Sequence, residues 1–324
     1  MTAPSAHPSP LTLVAHDPVD LFALVPVVLG FEPTESLVLL TFGATHPFHA
    51  RIDLPTVPDR TLDAEVVDAL LEPALRHRVA RVVLVGYSAD RRRAGRVVGA
   101  ARRAFARAGV DVLAGLCADG RRWWPVPAPA GFPGHGAPYD LGGHRFAAEA
   151  VLDGRVVHGS REELRATLAA DPVRVGRVVA ALAGLGGDPP VPSVDEAWVR
   201  ELLRTHLAGA EPPGDEAVAR LLRGLLDIPV RDAAWAEIRR AEVREHLAFW
   251  TDLVRRAPDP LVPAPASLLA FAAWQAGHGA LAWCAVERAQ EADPDYHLAD
   301  LVAQVLEQAI PPDAWEGMGG TEEG

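Results

Sequence analysis

Ser88, Asp90 and Arg91 follow the apolar run ARVVLVGY, and Asp119 comes just after Cys117 at the end of a second such run, so two strand ends carry hydroxyl, carboxylate, guanidinium and thiol groups. In open parallel sheets ligands bind outside the carboxyl ends of the strands, and arginines at a helix N-terminus suit a phosphate. No Gly-x-Gly or P-loop spacing precedes them, and a solvated arginine face is the plainer reading of Arg91 to Arg93. Cys117 becomes a nucleophile only with a base beside it; a lone strand cysteine is ordinarily inert core. Trp123 and Trp124 alternate faces, so one packs while the other covers a pocket mouth. Tyr139 and Asp140, in a long Pro/Gly loop, are candidate lid residues or simply turn formers. On another strand His49, Arg51 and Asp53 share a face. Arg51 with Asp53 reads first as a structural ion pair and second as a clamp for a carboxylate or phosphate. His46, His49 and Asp53 have a spacing that a metal could use, but neighbours on one strand and its loop do not by themselves converge on an ion, and no metal or cofactor is expected.

The elements that must position these groups start from Asp17 to Pro55, which holds the longest apolar run. Asp17 caps a helix with Pro18 at its first position, and Gly30 followed by Phe31 closes it. Ser36 to Phe42 and Phe48 to Leu54 then read as an antiparallel hairpin. Leu62 to Arg76 has helical spacing. Ala80 to Tyr87 reads as a strand buried on both faces, Asp90 to Ala108 as a helix closed by Gly109, and Val110 to Cys117 as a strand parallel to the first. Arg121 to Val126 adds a short edge strand. His144 to Val151 and the capping box at Ser160 to Glu163 start further helices.

The expected organisation is a flexible arm at 1–10, an α/β domain with a mixed sheet flanked by helices at 11–184, a Gly/Pro linker at 185–193, an all-α domain at 194–315 and an acidic tail at 316–324. Helices in the second half are expected near 194–208, 215–226, 231–256, 266–276, 278–292 and 297–309. Gly277, Ala282, Ala289 and Pro294, with Leu269, fall where a tetratricopeptide (TPR) hairpin has its turn glycine, small residues and closing proline, so this half reads as TPR-like over one helical pair.

The 324 residues are 49% hydrophobic and 23% charged, which is globular. No apolar run is long enough to cross a bilayer and MTAPSAHPSP is not a signal peptide, so the expectation is a cytoplasmic protein without membrane contact. Two distant cysteines exclude a disulfide framework. Every basic residue is arginine, an effect of GC-rich codon usage rather than of function. The net charge of -12 opposes nucleic-acid binding, although Arg76 to Arg122 holds twelve arginines against Asp90, Asp111 and Asp119, a local +9 that leaves -21 for the rest.

The segments LVPVVLGFEPTESLVLLTF, ARIDLP, VVLVGYS, GAPYD and SREEL, with the late WQAGHGALA and DPDYHLADLV, resemble an actinobacterial family, domain of unknown function 4192, over nearly the whole chain. The resemblance implies no activity. Where that family's pattern has a cysteine-rich loop ahead of its G-x-P-x-D segment, PVPAPAGFPGHGAPYD has no cysteine, so a metal or redox role does not carry over.

Three classes of function follow. A binding or regulatory protein, whose helical half engages a protein partner, is favoured by the TPR-like pair and the missing catalytic motif. A sensor of a small molecule or phosphate ligand, or an enzyme, acting at the strand ends is the alternative. Nucleic-acid binding by the +9 segment is the weakest. Oligomeric state is not legible.

Overall fold

The computed structural model describes residues 13–44, 48–153, 155–186, 192–209 and 211–316, the side chains of 192–194 and 316 excepted. The expected 1–10 arm, His46, residues 187–191 of the expected linker and 317–324 of the expected tail lie outside the described residues. Two compact units are present, Met1–Ser160 and Arg161–Gly324.

The first unit is a mixed sheet between helices. Helix α1 (Pro18–Leu29) starts where the Asp17 carboxylate accepts from the Asp20 N–H, and ends at Gly30. Gly30 takes a left-handed φ of 81° and returns its N–H to the Pro26 carbonyl, a turn that only glycine makes without strain. Strands β1 (Ser36–Phe42) and β2 (His49–Asp53) pair antiparallel, as the hairpin reading requires. Helix α2 (Arg60–Arg76) leads to β3 (Arg81–Tyr87), α3 (Arg91–Arg107) and β4 (Asp111–Ala118), with β3 and β4 parallel. Two short antiparallel strands, β5 (Arg122–Pro125) and β6 (Ala137–Pro138), complete a sheet of order β2-β1-β3-β4-β5-β6, and α4 (Arg145–Leu152) follows.

Alternation along the strands explains why β1 and β3 are apolar throughout. Leu37, Leu39, Val82, Leu84 and Cys117 join a core with Val67 and Leu70 of α2 and Val97, Val98 and Phe105 of α3. Val38, Leu40, Val83, Val85, Tyr87, Leu116 and Ala118 join a second core with Phe22 and Val25 of α1 and Phe146 and Ala150 of α4. Each strand is therefore buried on both faces, which selects a continuous run of β-branched and leucine side chains. Gly86 lets α3 approach β3 closely, since a Cβ there would lie 2.8 Å from a Val98 methyl.

The second unit is helical: α5 (Arg161–Ala166), α6 (Pro172–Gly184), α7 (Pro192–Leu207), α8 (Asp215–Gly224), α9 (Ile228–Ala236), α10 (Val243–Arg256), α11 (Pro263–Gln275), α12 (Gly279–Ala292), α13 (His297–Glu307) and α14 (Asp313–Glu316). Helices α5 and α6, placed with the sheet by sequence, belong to this unit: Arg161 pairs with Glu287, Arg165 with Glu291, and Arg174 with Asp252. The single helix expected over 231–256 is two, separated by a 3-10 turn at Arg240–Glu242. Arg239 is extended there, and no Gly or Pro announces the break. Gly277, at φ 74°, turns α11 into α12 as the hairpin reading expects. Every residue of α11 is buried, however, so this helix is the centre of a bundle and lines no open groove, as a helix of a TPR array would. Among the described residues no helix is long and apolar enough to cross a membrane.

Candidate functional site

Sheet register gathers four connections at one end of the first unit. Because β1 runs against β3, Ser36 at the start of β1 pairs with Tyr87 at the end of β3. The segment entering β1, the β3–α3 connection, the β4–β5 turn and the chain leaving β6 therefore all emerge beside the carboxyl ends of β3 and β4. Between them lies a cavity of about 540 Å³. Glu32 to Glu35 form one wall, Tyr87 to Ala89 the second, Ala118 to Gly120 the third and Tyr139 to Gly142 the fourth, with Phe22 and Pro26 of α1 beneath. Phe22, Pro33, Tyr87, Ser88 and Ala118 are buried, while Glu32, Thr34, Asp119 and Asp140 are exposed at the rim. The base is thus aromatic and apolar, and the rim is acidic.

Glu35 organises the first two walls. Its carboxylate accepts from the Ser88 hydroxyl at 2.8 Å and from the Ala89 N–H at 3.1 Å, and it pairs with Arg93 on the first turn of α3. The Arg93 guanidinium also donates to Ser88 Oγ, at 3.3 Å. Glu35 itself sits at φ 46°, a left-handed backbone that a glutamate adopts at a cost of about 1 kcal/mol or more. Three ties to β3 and α3 hold it there. The segment is pinned at its other end by a backbone bridge from Phe31 and Glu32 to His158.

The other two walls are built from turn chemistry. Asp119 Oδ1 accepts from the N–H groups of Arg121 and Arg122, at 2.9 and 2.7 Å, and Asp140 Oδ1 accepts from the Gly142 N–H at 2.8 Å. Tyr139 stacks on Phe22 with ring centroids 4.8 Å apart, and Phe22 meets Tyr87 edge-on at 6.3 Å. Burial pushes the Tyr139 phenol up to about 12, with the Asp119 and Glu32 charges adding to it against a Gly120 N–H bond that opposes it. Burial, reinforced by Tyr139 and Glu32, pushes Tyr87 well above the usual phenol range. Both phenols are neutral hydrogen-bond donors at neutral pH. The Tyr87 hydroxyl is buried and finds no hydrogen-bond partner among the described residues.

Of the residues singled out by sequence, Ser88, Tyr139 and Asp140 line the cavity, and Asp119 joins them. Arg51 and Asp53 lie on the same end of the sheet but outside the lining: they pair at 2.6 Å, and Arg51 Nε donates to Ser36 Oγ. Asp90 caps α3 through the Arg92 and Arg93 N–H groups. Arg91 turns away, its guanidinium 4.9 Å above the Trp124 ring and bonded to the Gly134 carbonyl. Cys117 faces the α3 side of the sheet, 2% exposed, its thiol pushed up to about 12 by burial, and it lies outside the lining. Trp123 packs on Phe22 and Phe132 rather than over the mouth. A phosphate cradle of consecutive arginines is therefore not assembled: Arg91 is stacked, Arg92 is outside the lining and Arg93 sits behind Glu35. Phe22, Glu32, Glu35 and Tyr87 were missed, and the positive φ of Glu35 leaves no trace in residue type.

Among the described residues no group of three His, Cys, Asp or Glu is placed to hold a metal ion. The model of the family described as Domain of unknown function (DUF4192) matches residues 18–313. The chain belongs to the DUF4192 family. No curated protein and no solved structure matches it. In this DUF4192 chain the segments GFEPTES, VVLVGYS and GAPYD, far apart in sequence, meet at the cavity and supply most of its walls.

Proposed function

We propose that the chain is a small-molecule binding protein, a sensor or carrier whose ligand sits at the carboxyl ends of β3 and β4. The observation that carries this reading is the cavity of about 540 Å³ at that place, within the usual size of ligand sites, with an aromatic base and a few converging polar groups. The strained Glu35 supports it, because a costly backbone persists where its surroundings over-determine it, and such places cluster at ligand sites. Binding is favoured over chemistry. The Ser88 hydroxyl is already given to Glu35, and that carboxylate is occupied by Ala89 and Arg93, so neither serves as a free nucleophile or base.

Ala89 is exposed and lines the mouth, so Ala89→Trp fills the entrance while keeping the backbone N–H that Glu35 needs. Ligand-observed NMR with a fragment library on both proteins tests the reading. Fragments that bind the parent and are lost in a folded Ala89→Trp variant are the expected result; fragments that bind both equally would refute it.

A second reading, a protein partner docked on the helical unit, draws on Leu226 in the α8–α9 turn and Ile228 at the start of α9, 65% and 60% exposed. The enclosed α11 weighs against a groove of the tetratricopeptide kind.

A further inference from the structure

The charge around the cavity narrows its ligand. Among the described residues four carboxylates line it, those of Glu32, Glu35, Asp119 and Asp140, and the lining contains no arginine or histidine. Arg93 offsets Glu35 from behind. The other three are exposed at the rim, and among the described residues no side-chain cation is bonded to them: Asp119 and Asp140 hold backbone N–H groups, each through one oxygen. A net of about three negative charges over an apolar base attracts cations and repels phosphates. Beneath that rim the structure places a second, independent feature. Tyr87 is 8% exposed and lines the cavity, and its neutral hydroxyl, itself enclosed, has no hydrogen-bond partner among the described residues.

We propose that the cavity selects a small organic cation, a protonated amine or guanidinium on an apolar or aromatic body, and rejects phosphorylated ligands. This rests on the small-molecule reading above. The apolar body lies against Tyr139 and Leu141, and the positive group lies among Glu32, Asp119 and Asp140, where attraction to three partly solvated carboxylates is strongest at low salt. Of the arginines behind the local +9, Arg93 and Arg96 are paired with Glu35 and Asp63, and Arg102 is bonded to the Val126 carbonyl.

Titration calorimetry on the full chain with phenethylamine, its neutral analogue 2-phenylethanol and phenyl phosphate is the test. Phenethylamine is expected to bind tightest, phenyl phosphate not at all, and amine affinity is expected to fall as salt is raised. The Glu32→Gln, Asp119→Asn, Asp140→Asn triple variant keeps the oxygens that accept the turn N–H groups and should weaken phenethylamine about tenfold, three rim charges together amounting to roughly one decade. Equal binding of the alcohol and the amine, or amine binding unaffected by salt and by the triple variant, would overturn the charge selection and leave the small-molecule cavity standing. Binding by none of the three compounds would overturn both. The salt series needs no variant, so a misfolded triple mutant does not remove the test.

Discussion

Ser88 and Glu35, 53 residues apart, are joined by a 2.8 Å hydrogen bond that closes two walls of one cavity. Glu35 pays for its position with a left-handed backbone and is held by Ser88, Ala89 and Arg93. Glu35→Ala removes all three ties and keeps the strain, so it is expected to lower stability by about 2 kcal/mol in urea unfolding. Glu35→Gly also loses the ties but relieves the backbone, so it is expected to be the more stable of the two by about 1 kcal/mol. Equal stabilities for the two variants would contradict the strained geometry.

Arg96 and Asp63 make the second such tie. Arg96 meets a nearly buried Asp63 through Nε at 2.6 Å and Nη2 at 3.1 Å. Arg92, one turn earlier, is exposed. Arg96→Met should leave the carboxylate buried without its cation and cost about 2 kcal/mol, less than a fully buried pair because Arg96 is one-third exposed. Arg92→Glu should change stability by less than about 0.5 kcal/mol. Denaturant midpoints of the two variants check this, and similar midpoints would contradict it.

The sheet was legible because its signals are local. Alternation and apolar runs marked β1 to β4, Asp17 and Gly30 marked the ends of α1, and the order strand, helix, strand over 80–117 required a parallel pair. The cavity was legible as a place, the carboxyl ends of parallel strands, which brought in Ser88 and Asp119, and the long Pro/Gly loop brought in Tyr139 and Asp140. Glu32 to Glu35 arrive through antiparallel register, which sets the start of β1 beside the end of β3, and no spacing within one segment encodes that. The three arginines at the start of α3 misled for a related reason. A helix start looks like an anion site until the partners are known, and Glu35 and Trp124 come from 58 residues before Arg93 and 33 after Arg91. The break between α9 and α10 was invisible because Glu237 to Glu242 keeps a helical composition.

The unit boundary carries its own expectation. Arg161, Arg165 and Arg174 pair with Glu287, Glu291 and Asp252, so α5 and α6 bind the later helices. A fragment starting at residue 161 is expected to melt cooperatively by circular dichroism, and one starting at residue 194 to melt at lower temperature or without a sharp transition. A fragment from 194 as stable as that from 161 would return the boundary to the 185–193 segment.

His246 makes the helical unit acid-sensitive. It is fully buried, its Nε2 donates to the Glu237 carbonyl at 3.0 Å, and Nδ1 has no hydrogen-bond partner among the described residues. Burial holds its pKa below the ordinary histidine value, although the Glu237 carbonyl and the charges of Glu242, Glu245 and Glu237 oppose the shift. The unfolded chain therefore binds the extra proton first. The stability due to neutral His246 is complete above about pH 6.5 and is lost progressively as pH falls below it. His246→Gln keeps a donor and does not titrate. Between about pH 7.5 and about pH 5.5 the parent melting temperature should fall further than that of the variant; parallel falls would contradict the assignment.

The chain contains three tyrosines, and they provide the most direct test of the cavity. Tyr87 and Tyr139 line it, whereas Tyr296 precedes α13 in the helical unit. Fluorine NMR of the protein labelled with 3-fluorotyrosine, assigned by single Tyr→Phe variants and titrated with phenethylamine, reads all three at once. Saturable shifts at Tyr87 and Tyr139 with Tyr296 unmoved are the predicted result. An unchanged spectrum at saturating amine, or a shift at Tyr296 alone, would contradict a ligand site at the carboxyl ends of β3 and β4.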